Sequence, residues 1–353
     1  MARLALLTSG GDAPGMNTAI RAIVKLCAAR GVDVLGVEQG FEGLMGGRMR
    51  PLTPRDVDTI GSLGGTVLGS ARSKEFLLPE GRAKAAATLG AAGVEGLLVI
   101  GGNGSLTGAH VLSEEQGVRV MGLPASIDND LGCTSLAIGV DTALNTIVSA
   151  CDRISDTARA HRRAFIVEVM GRRCGYLAMA GSVAVGADAC LFREQGKSEA
   201  QLVAELSDVL RRGFDPERGK QMVLILKAEG VEVPTDALVS RLQAVADAEL
   251  PGVDVRATVL GHLVRGGSPS YYDRLIAGRL GAAAVESLLQ GHHDEMVAWQ
   301  PHTPGGLPTW DSAVVRFPLT QMLTETDALL DGSSAVTRRR VRMMEATAGV
   351  MAL

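Results

Sequence analysis

An α/β fold built on parallel sheets is predicted by three features of the sequence: short runs that are apolar throughout, a glycine-rich loop closing each run, and helical periodicity between them. Strands that are apolar on both sides are buried on both faces, as in parallel sheets covered by helices. Glycine, at 44 of 353 residues, punctuates the run ends and forms no linker.

In chain order, LALLT (4–8) closes in SGGDAPG and is followed by helical periodicity over 17–29. Helices over 82–92 and 106–115 flank GLLVI (96–100), which closes in GGNGS. VRVMGL (118–123) leads to PASIDND and a helix over 141–159. AFIVEV (164–169) leads to MGRRCG, with helices over 176–185 and 198–212. MVLILKA (222–228) leads to EGVEV and a helix over 235–249, and a further helix spans 274–290. Asn, Asp or Ser near several starts supplies the cap that the first orphan N–H groups need. The segment 301–318, with four prolines and two glycines, reads as a long loop before a final helix near 319–330. The basic cluster TRRRVR (337–342) reads as a solvated face or as an anion or subunit contact.

Composition excludes several classes. The 35 Lys and Arg against 39 Asp and Glu leave a net charge of −4, and aromatics are 3%. Nucleic-acid binding needs clustered cations and stacking rings, so it is not expected. No apolar run is long enough to span a bilayer, and the short apolar start reads as a first strand. The cysteines Cys27, Cys133, Cys151, Cys174 and Cys190 form no C-x-x-C pair. They read as reduced thiols in a cytoplasmic protein.

In open parallel sheets, ligands collect at the carboxyl ends of strands, where the glycine loops lie. In TSGGDAPGMN (8–17), Gly10 and Gly11 allow close backbone approach before a helix start. That suits a phosphate or simply a tight turn, and without Gly-Lys-Ser/Thr it is not a Walker loop. GGTVLGSAR (64–72) ends in Arg72, whose fork can span two phosphates or lie solvated on a surface turn. In IGGNGS (100–105), small residues let a nucleotide lie on the backbone and Ser105 can donate to a phosphate, or the loop is a generic turn. In PASIDND (124–130), Asp128 suits proton abstraction from a hydroxyl and Asp130 suits Mg²⁺; the alternative is a turn with two solvated acids. VEVMGRRCG (167–175) and VLGHLVRGGSP (259–269), with Arg163 and Arg256 beside them, bring Arg172, His262 and Arg265 near strand ends. Together these suit a sugar phosphate, although each Arg alone also reads as an ion-pair partner.

The ordered set TSGGDAPGMN, GGTVLGSAR, GG-x-GS, P-x-[ST]-IDND, VEVMGR and ATVLGH-x-x-RGGSP, from about residue 3 to about 290, resembles the phosphofructokinase family. The resemblance implies two Rossmann-like lobes with mostly parallel sheets and the active site in the cleft between them. It places a nucleotide-binding lobe at 1–138 with 257–305 contributing, a sugar-phosphate lobe at 139–256, and a C-terminal extension of open role at 306–353. It implies a glycolytic kinase that phosphorylates fructose 6-phosphate at the 1-hydroxyl with Mg²⁺ and ATP, as a homotetramer with shared sites. Gly11, Arg72, Ser73, Gly102, Asn103, Gly104 and Ser105 would bind the nucleotide, and Asn103 and Asp130 the metal. Asp128 would be the base, with Ser126, Arg72 and Arg172 in the catalytic set. Met170, Gly171, Arg172, Glu229, His262 and Arg265 would bind the sugar phosphate together with Ser126 and Asp128, with Arg163 and Arg256 lent to a neighbouring subunit. The chemistry would be positioning and charge neutralisation along an in-line phosphoryl transfer.

Gly104, where pyrophosphate users carry Asp, and Ala125, where they tend to carry Lys, both point to ATP. Three positions depart from the family pattern: Asn103 for Asp, Ser126 for Thr and Ala125 for Gly. Asn keeps an oxygen ligand and loses a charge, so hard-cation binding should weaken. The departures leave open a weakened regulatory paralogue or a kinase of another sugar phosphate. A nucleotide or phosphoenolpyruvate effector site is implied between subunits. Arg21, Lys25, Arg218 and Lys220 match its cations, Ser155 replaces an Arg and Asp188 a Glu, and Arg55 follows Pro54 at the expected place. Weak or altered control is the expectation.

Overall fold

The computed structural model describes residues 2–351. The chain runs β1 (Arg3–Ser9), α1 (Met16–Ala29), β2 (Asp33–Val37), α2 (Gly40–Met45), β3 (Met49–Leu52), α3 (Pro79–Ala91), β4 (Gly96–Gly101), α4 (Asn103–Gln116) and β5 (Val120–Pro124). It continues with α5 (Val140–Ala160), β6 (Arg163–Val169), α6 (Tyr176–Val185), β7 (Ala189–Leu191), α7 (Glu199–Gly213), β8 (Val223–Ala228), α8 (Thr235–Glu249) and β9 (Asp254–Val259). It ends with α9 (Tyr271–Leu289), β10 (Glu295–Trp299), β11 (Leu307–Pro308), β12 (Val314–Pro318), α10 (Leu319–Asp331) and α11 (Ala335–Met351).

Two compact units result. One combines Met1–Thr142 with Arg265–Ala328, and the other combines Ala143–Val264 with Leu329–Leu353. The first holds an eight-stranded sheet in the order β11-β12-β10-β5-β4-β1-β2-β3. The strands from β10 to β2 pair in parallel; antiparallel β3 closes one side, and antiparallel β12 followed by β11 closes the other. Every residue of β4 and β5 is buried, which is why their sequence shows no alternation. Helices α1 and α9 pack together, and at Gly281 an added Cβ would lie 3.2 Å from the Ala19 carbonyl oxygen. A larger residue there would push the helices apart.

The second unit holds a fully parallel sheet in the order β7-β8-β6-β9. Ile166, Leu191 and Ile225 form one core with Leu206 and Leu210 of α7 and Leu238 and Leu242 of α8. Each such side chain contributes roughly 1.5–3 kcal/mol of burial. Helix α7 begins in a capping box, with the Gln201 side chain accepting the Ser198 N–H at 2.9 Å.

Two expectations near the C-terminus are corrected. The segment 301–318 carries strands β11 and β12, and the helix over 319–330 is followed by α11, which contains TRRRVR. Arg316 hides β12 in the sequence: it is buried and bonds Glu295 at 2.5 Å. In α11, Arg340 stacks 4.4 Å over the Tyr176 ring with its Nη1 3.7 Å from Cys174 Sγ. Part of the basic cluster therefore packs inside its own unit. No helix among the described residues is long and apolar enough to cross a membrane, and no disulfide joins the cysteines.

Candidate active site

Parallel pairing brings three loops of the first unit side by side. Ser9 lies opposite Gly101, and Gly101 opposite Pro124, so the chain leaves β1, β4 and β5 at one sheet end. A Cβ at Gly10 would lie 3.1 Å from Ser105 Oγ, and one at Gly102 would lie 3.8 Å from Ser126 Cβ. The loops therefore touch. Helix α4 starts at Asn103 with no side chain capping it, so its first N–H groups face the loop cluster as an anion site. Nothing comes within 4 Å of a Cβ built on Gly104, which leaves room for a phosphate against the backbone.

The loop 64–72 folds onto the first loop through the buried side chains of Thr8 and Asn17 and the exposed one of Ser70. Asn17 Nδ2 donates to the Leu63 and Gly64 carbonyls, each at 3.1 Å, and Asn17 Oδ1 accepts the Val67 N–H at 2.8 Å. Thr8 Oγ1 donates to Gly69 O at 2.9 Å, and Ser70 Oγ to Gly10 O at 2.7 Å. Arg72 follows, exposed and without an ion-pair partner among the described residues. Ser73 Oγ accepts the Phe76 N–H at 3.2 Å, fixing the turn after it.

Arg265 also reaches this cluster. Its Nη1 donates to Asp12 O at 3.1 Å and lies where a side chain at residue 11 would be, 2.3 Å from an ideal Cβ. Glycine at 11 is what admits the guanidinium.

The acidic loop is the most enclosed part. Asp128 is 3% exposed and Asp130 is 9% exposed. Asn129, at φ 49, holds them: its Oδ1 accepts the Ala137 N–H at 3.0 Å and its Nδ2 donates to Ser135 O at 3.2 Å. Ser126 Oγ donates to Asp130 Oδ1 at 2.7 Å.

In the second unit, Glu229 organises the loop after β6. Its Oε1 accepts the backbone N–H groups of Gly171 at 3.1 Å and of Arg172 at 2.6 Å. Gly171 has φ 146 and Arg172 φ 49, a pair of left-handed residues that turns the chain sharply beyond buried Met170. Beneath the loop, Lys227 is 2% exposed and pairs with Glu168 at 3.0 Å, and Thr235 also donates to Glu168. His262 lies exposed in the short turn Gly261–Arg265.

Arg163 and Arg256 do not join the others within the chain. Asp254 Oδ2 binds both, at 3.2 Å and 2.8 Å, near the amino ends of β6 and β9. Eight residues separate Arg163 from Gly171, a run of roughly 25 Å in extended chain. An Arg side chain cannot bridge that span.

The phosphofructokinase family model matches residues 3–288. The chain belongs to the phosphofructokinase family. It is 43% identical over 331 residues to the ATP-dependent 6-phosphofructokinase of Thermotoga neapolitana, covering 94% of this chain and 100% of that protein. It is 49% identical over 297 residues to the ATP-dependent 6-phosphofructokinase 1 of Thermus thermophilus, covering 84% and 89%. Among solved structures, phosphofructokinase from Saccharomyces cerevisiae matches 99% of this chain with a TM-score of 0.86 and 32% identity, and the chain spans 50% of that yeast chain. The pyrophosphate-dependent enzyme of Marinobacter aquaeolei shares the fold, with a TM-score of 0.75 at 19% identity over 91% of this chain and 84% of that one.

The candidate metal residues suit Mg²⁺ in kind. Asn103 offers an amide oxygen and Asp130 a carboxylate whose Oδ1 is already oriented by Ser126. Mg²⁺ needs few protein oxygens when phosphates and water complete its shell. Asn17, Thr8, Asn129 and Asp273 shape this end of the phosphofructokinase sheet; a motif reading assigns no role to the first three, which lie inside its motifs, and misses Asp273 altogether. Asp273 is fully buried and accepts the N–H of Gly139 at 2.8 Å, and the N–H and hydroxyl of Thr142 at 2.7 and 2.6 Å. Its one signal is a carboxylate three residues into the helix that follows RGGSP.

Proposed function

We propose that the chain transfers the γ-phosphoryl group of ATP to the 1-hydroxyl of fructose 6-phosphate. The observation that carries the reading is Asp128, a buried carboxylate held by Asn129 beside a helix start open to phosphate. A module that only binds nucleotide has no use for such a group. The 43% and 49% identity to proteins named ATP-dependent 6-phosphofructokinase supports the same substrates.

In this mechanism Asp128 accepts the hydroxyl proton as the phosphoryl group moves in line. The α4 N–H groups and Arg72 hold the phosphates, with the backbone at Gly11 and Gly102–Ser105 close against them. Asn103 and Asp130 would hold Mg²⁺, which would supply charge neutralisation for the transfer. Ser126 keeps Asp130 in one rotamer. Gly171 and Arg172, fixed by Glu229, contact the sugar phosphate with His262 and Arg265. The open space at Gly104 supports ATP over pyrophosphate as donor.

Arg163 and Arg256 serve a neighbouring subunit's sugar site in a homotetramer. The distance along β6 from their own chain's Gly171 loop supports this assignment. The effector site, for a nucleotide or phosphoenolpyruvate, is altered: Lys220 bonds Asp188, and the Leu224 N–H donates to the second Asp188 oxygen at 2.9 Å. A carboxylate so engaged is less available to a Mg²⁺-linked effector. The setting is cytoplasmic.

The test is a coupled assay of the purified protein with fructose 6-phosphate, Mg²⁺ and either ATP or pyrophosphate, with Asn103→Asp alongside. Turnover with ATP alone is expected, and Asn103→Asp should lower the Mg²⁺ concentration for half-maximal rate by several-fold, as an added charged ligand does. Turnover with pyrophosphate alone, or none in either protein, refutes the reading.

A further inference from the structure

A cluster outside the proposed active site has the chemistry of a borderline-soft metal centre. His110 and Glu114 lie one turn apart on α4, and Asp294 lies just before β10. One donor atom from each falls within 4.8 Å of the other two. We propose that His110, Glu114 and Asp294 bind one Zn²⁺-class divalent ion.

The first two ligands are already set. His110 Nδ1 lies 3.0 Å from each Asp294 carboxylate oxygen. Tetrahedral coordination with bonds of about 2.1 Å places neighbouring ligand atoms about 3.4 Å apart, so small adjustments admit an ion. Asp294 is fixed by its backbone: its N–H donates to Val120 O at 2.8 Å and its carbonyl accepts the Leu319 N–H at 3.0 Å. It sits at φ 54, a conformation these anchors impose. The side chains of His110 and Asp294 are 15% and 21% exposed, which shields the pair while leaving an approach. Glu114 is exposed and is the ligand that swings in.

The donor set selects the ion. One imidazole nitrogen and two carboxylates suit Zn²⁺ or Co²⁺, whereas Mg²⁺ prefers oxygen ligands alone and keeps its waters. Seven residues of helix, about 10 Å, separate His110 from Asn103, so the centre is distinct from the proposed Mg²⁺ position on the same helix. It bridges α4 to the turn between α9 and β10.

The test uses the full chain and the metals themselves. Calorimetric titration with Zn²⁺ in excess Mg²⁺ is expected to give one ion per chain, and Co²⁺ to develop the visible bands of a four-coordinate N/O site. His110→Gln and Asp294→Asn should each weaken binding at least about tenfold and abolish the bands, as loss of a ligand does. Glu114→Gln, on an exposed surface, gives a variant that folds and should also weaken binding. Circular dichroism confirms the fold of each. Absence of binding in the wild type, or Zn²⁺ affinity unchanged in His110→Gln and Glu114→Gln, overturns the proposal and leaves His110–Asp294 as a hydrogen-bonded pair.

Discussion

Replacing Asp128 by Asn exchanges a buried carboxylate for a neutral amide of nearly the same shape, so its effects on rate and on fold separate. Asp128 is 3% exposed, and its neighbour Asn129 is tied to Ser135 and Ala137. The loop is thus positioned largely by residues other than 128, and removing a buried charge carries little stability penalty. A positioned general base contributes about 10²–10⁴ in rate, or roughly 2.7–5.5 kcal/mol of barrier. The expected result is a kcat lowered by that factor, a KM for fructose 6-phosphate within a few-fold, and an unchanged melting temperature. Steady-state kinetics in the coupled assay, paired with thermal unfolding, reads all three. A fall in kcat smaller than about tenfold at an unchanged melting temperature would refute the assignment of the base, because the fold would be intact while the carboxylate is gone.

Other substitutions probe the surroundings. Gly11→Ala places a Cβ 2.3 Å from Arg265 Nη1 and should expel the guanidinium, raising KM for fructose 6-phosphate more than KM for ATP; equal changes in both would contradict it. Burial pushes the Asp273 carboxyl up to about 6 against the hydrogen bonds from Thr142 and Gly139 that pull it down. The folded state then binds that proton more tightly than the unfolded chain. Stability from this group is therefore full below about pH 4 and is lost as pH rises to about 6, by roughly 3 kcal/mol. In Asp273→Asn that slope should vanish from a urea-unfolding series across the window, whatever the variant's absolute stability. Arg340→Ala removes the contact 4.4 Å over Tyr176 and should cost about 0.5–2 kcal/mol, with faster amide exchange in α11; unchanged exchange would show the helix is held elsewhere.

The strands most legible in the sequence are those buried on both faces. LALLT, GLLVI and AFIVEV are short apolar runs ended by loops, which is the pattern of a strand covered on both faces. Strand β9 carries Asp254 and Arg256 on an edge with exposed positions, and β12 carries a buried Arg316 made apolar in effect only by Glu295. β9 pairs with β6, about 90 residues away, and β12 pairs with nearby β10 and β11 across a Pro- and Gly-rich stretch, so a local reading takes both for loops. The site divides along the same line. Glycine loops and the IDND acids announce themselves, since their local geometry is what the chemistry uses. Asn17 and Glu229 act by reaching loops elsewhere in the chain, and no spacing rule marks a residue whose partner is set by tertiary structure. Arg163 and Arg256 read as members of one cluster until β6 and β9 place them at the far end.

The interleaved order of the two units has a consequence for biogenesis. β5 lies in the interior of its sheet only because β10 pairs with it, and about 170 residues of chain separate the two strands. On the ribosome, β5 must wait as an open edge, a template for unwanted pairing, while the intervening segment emerges. That segment contains all four strands of the smaller sheet, whose pairings need nothing made later. The sheet begun second can therefore close first, and the one that opens the chain depends on its last third.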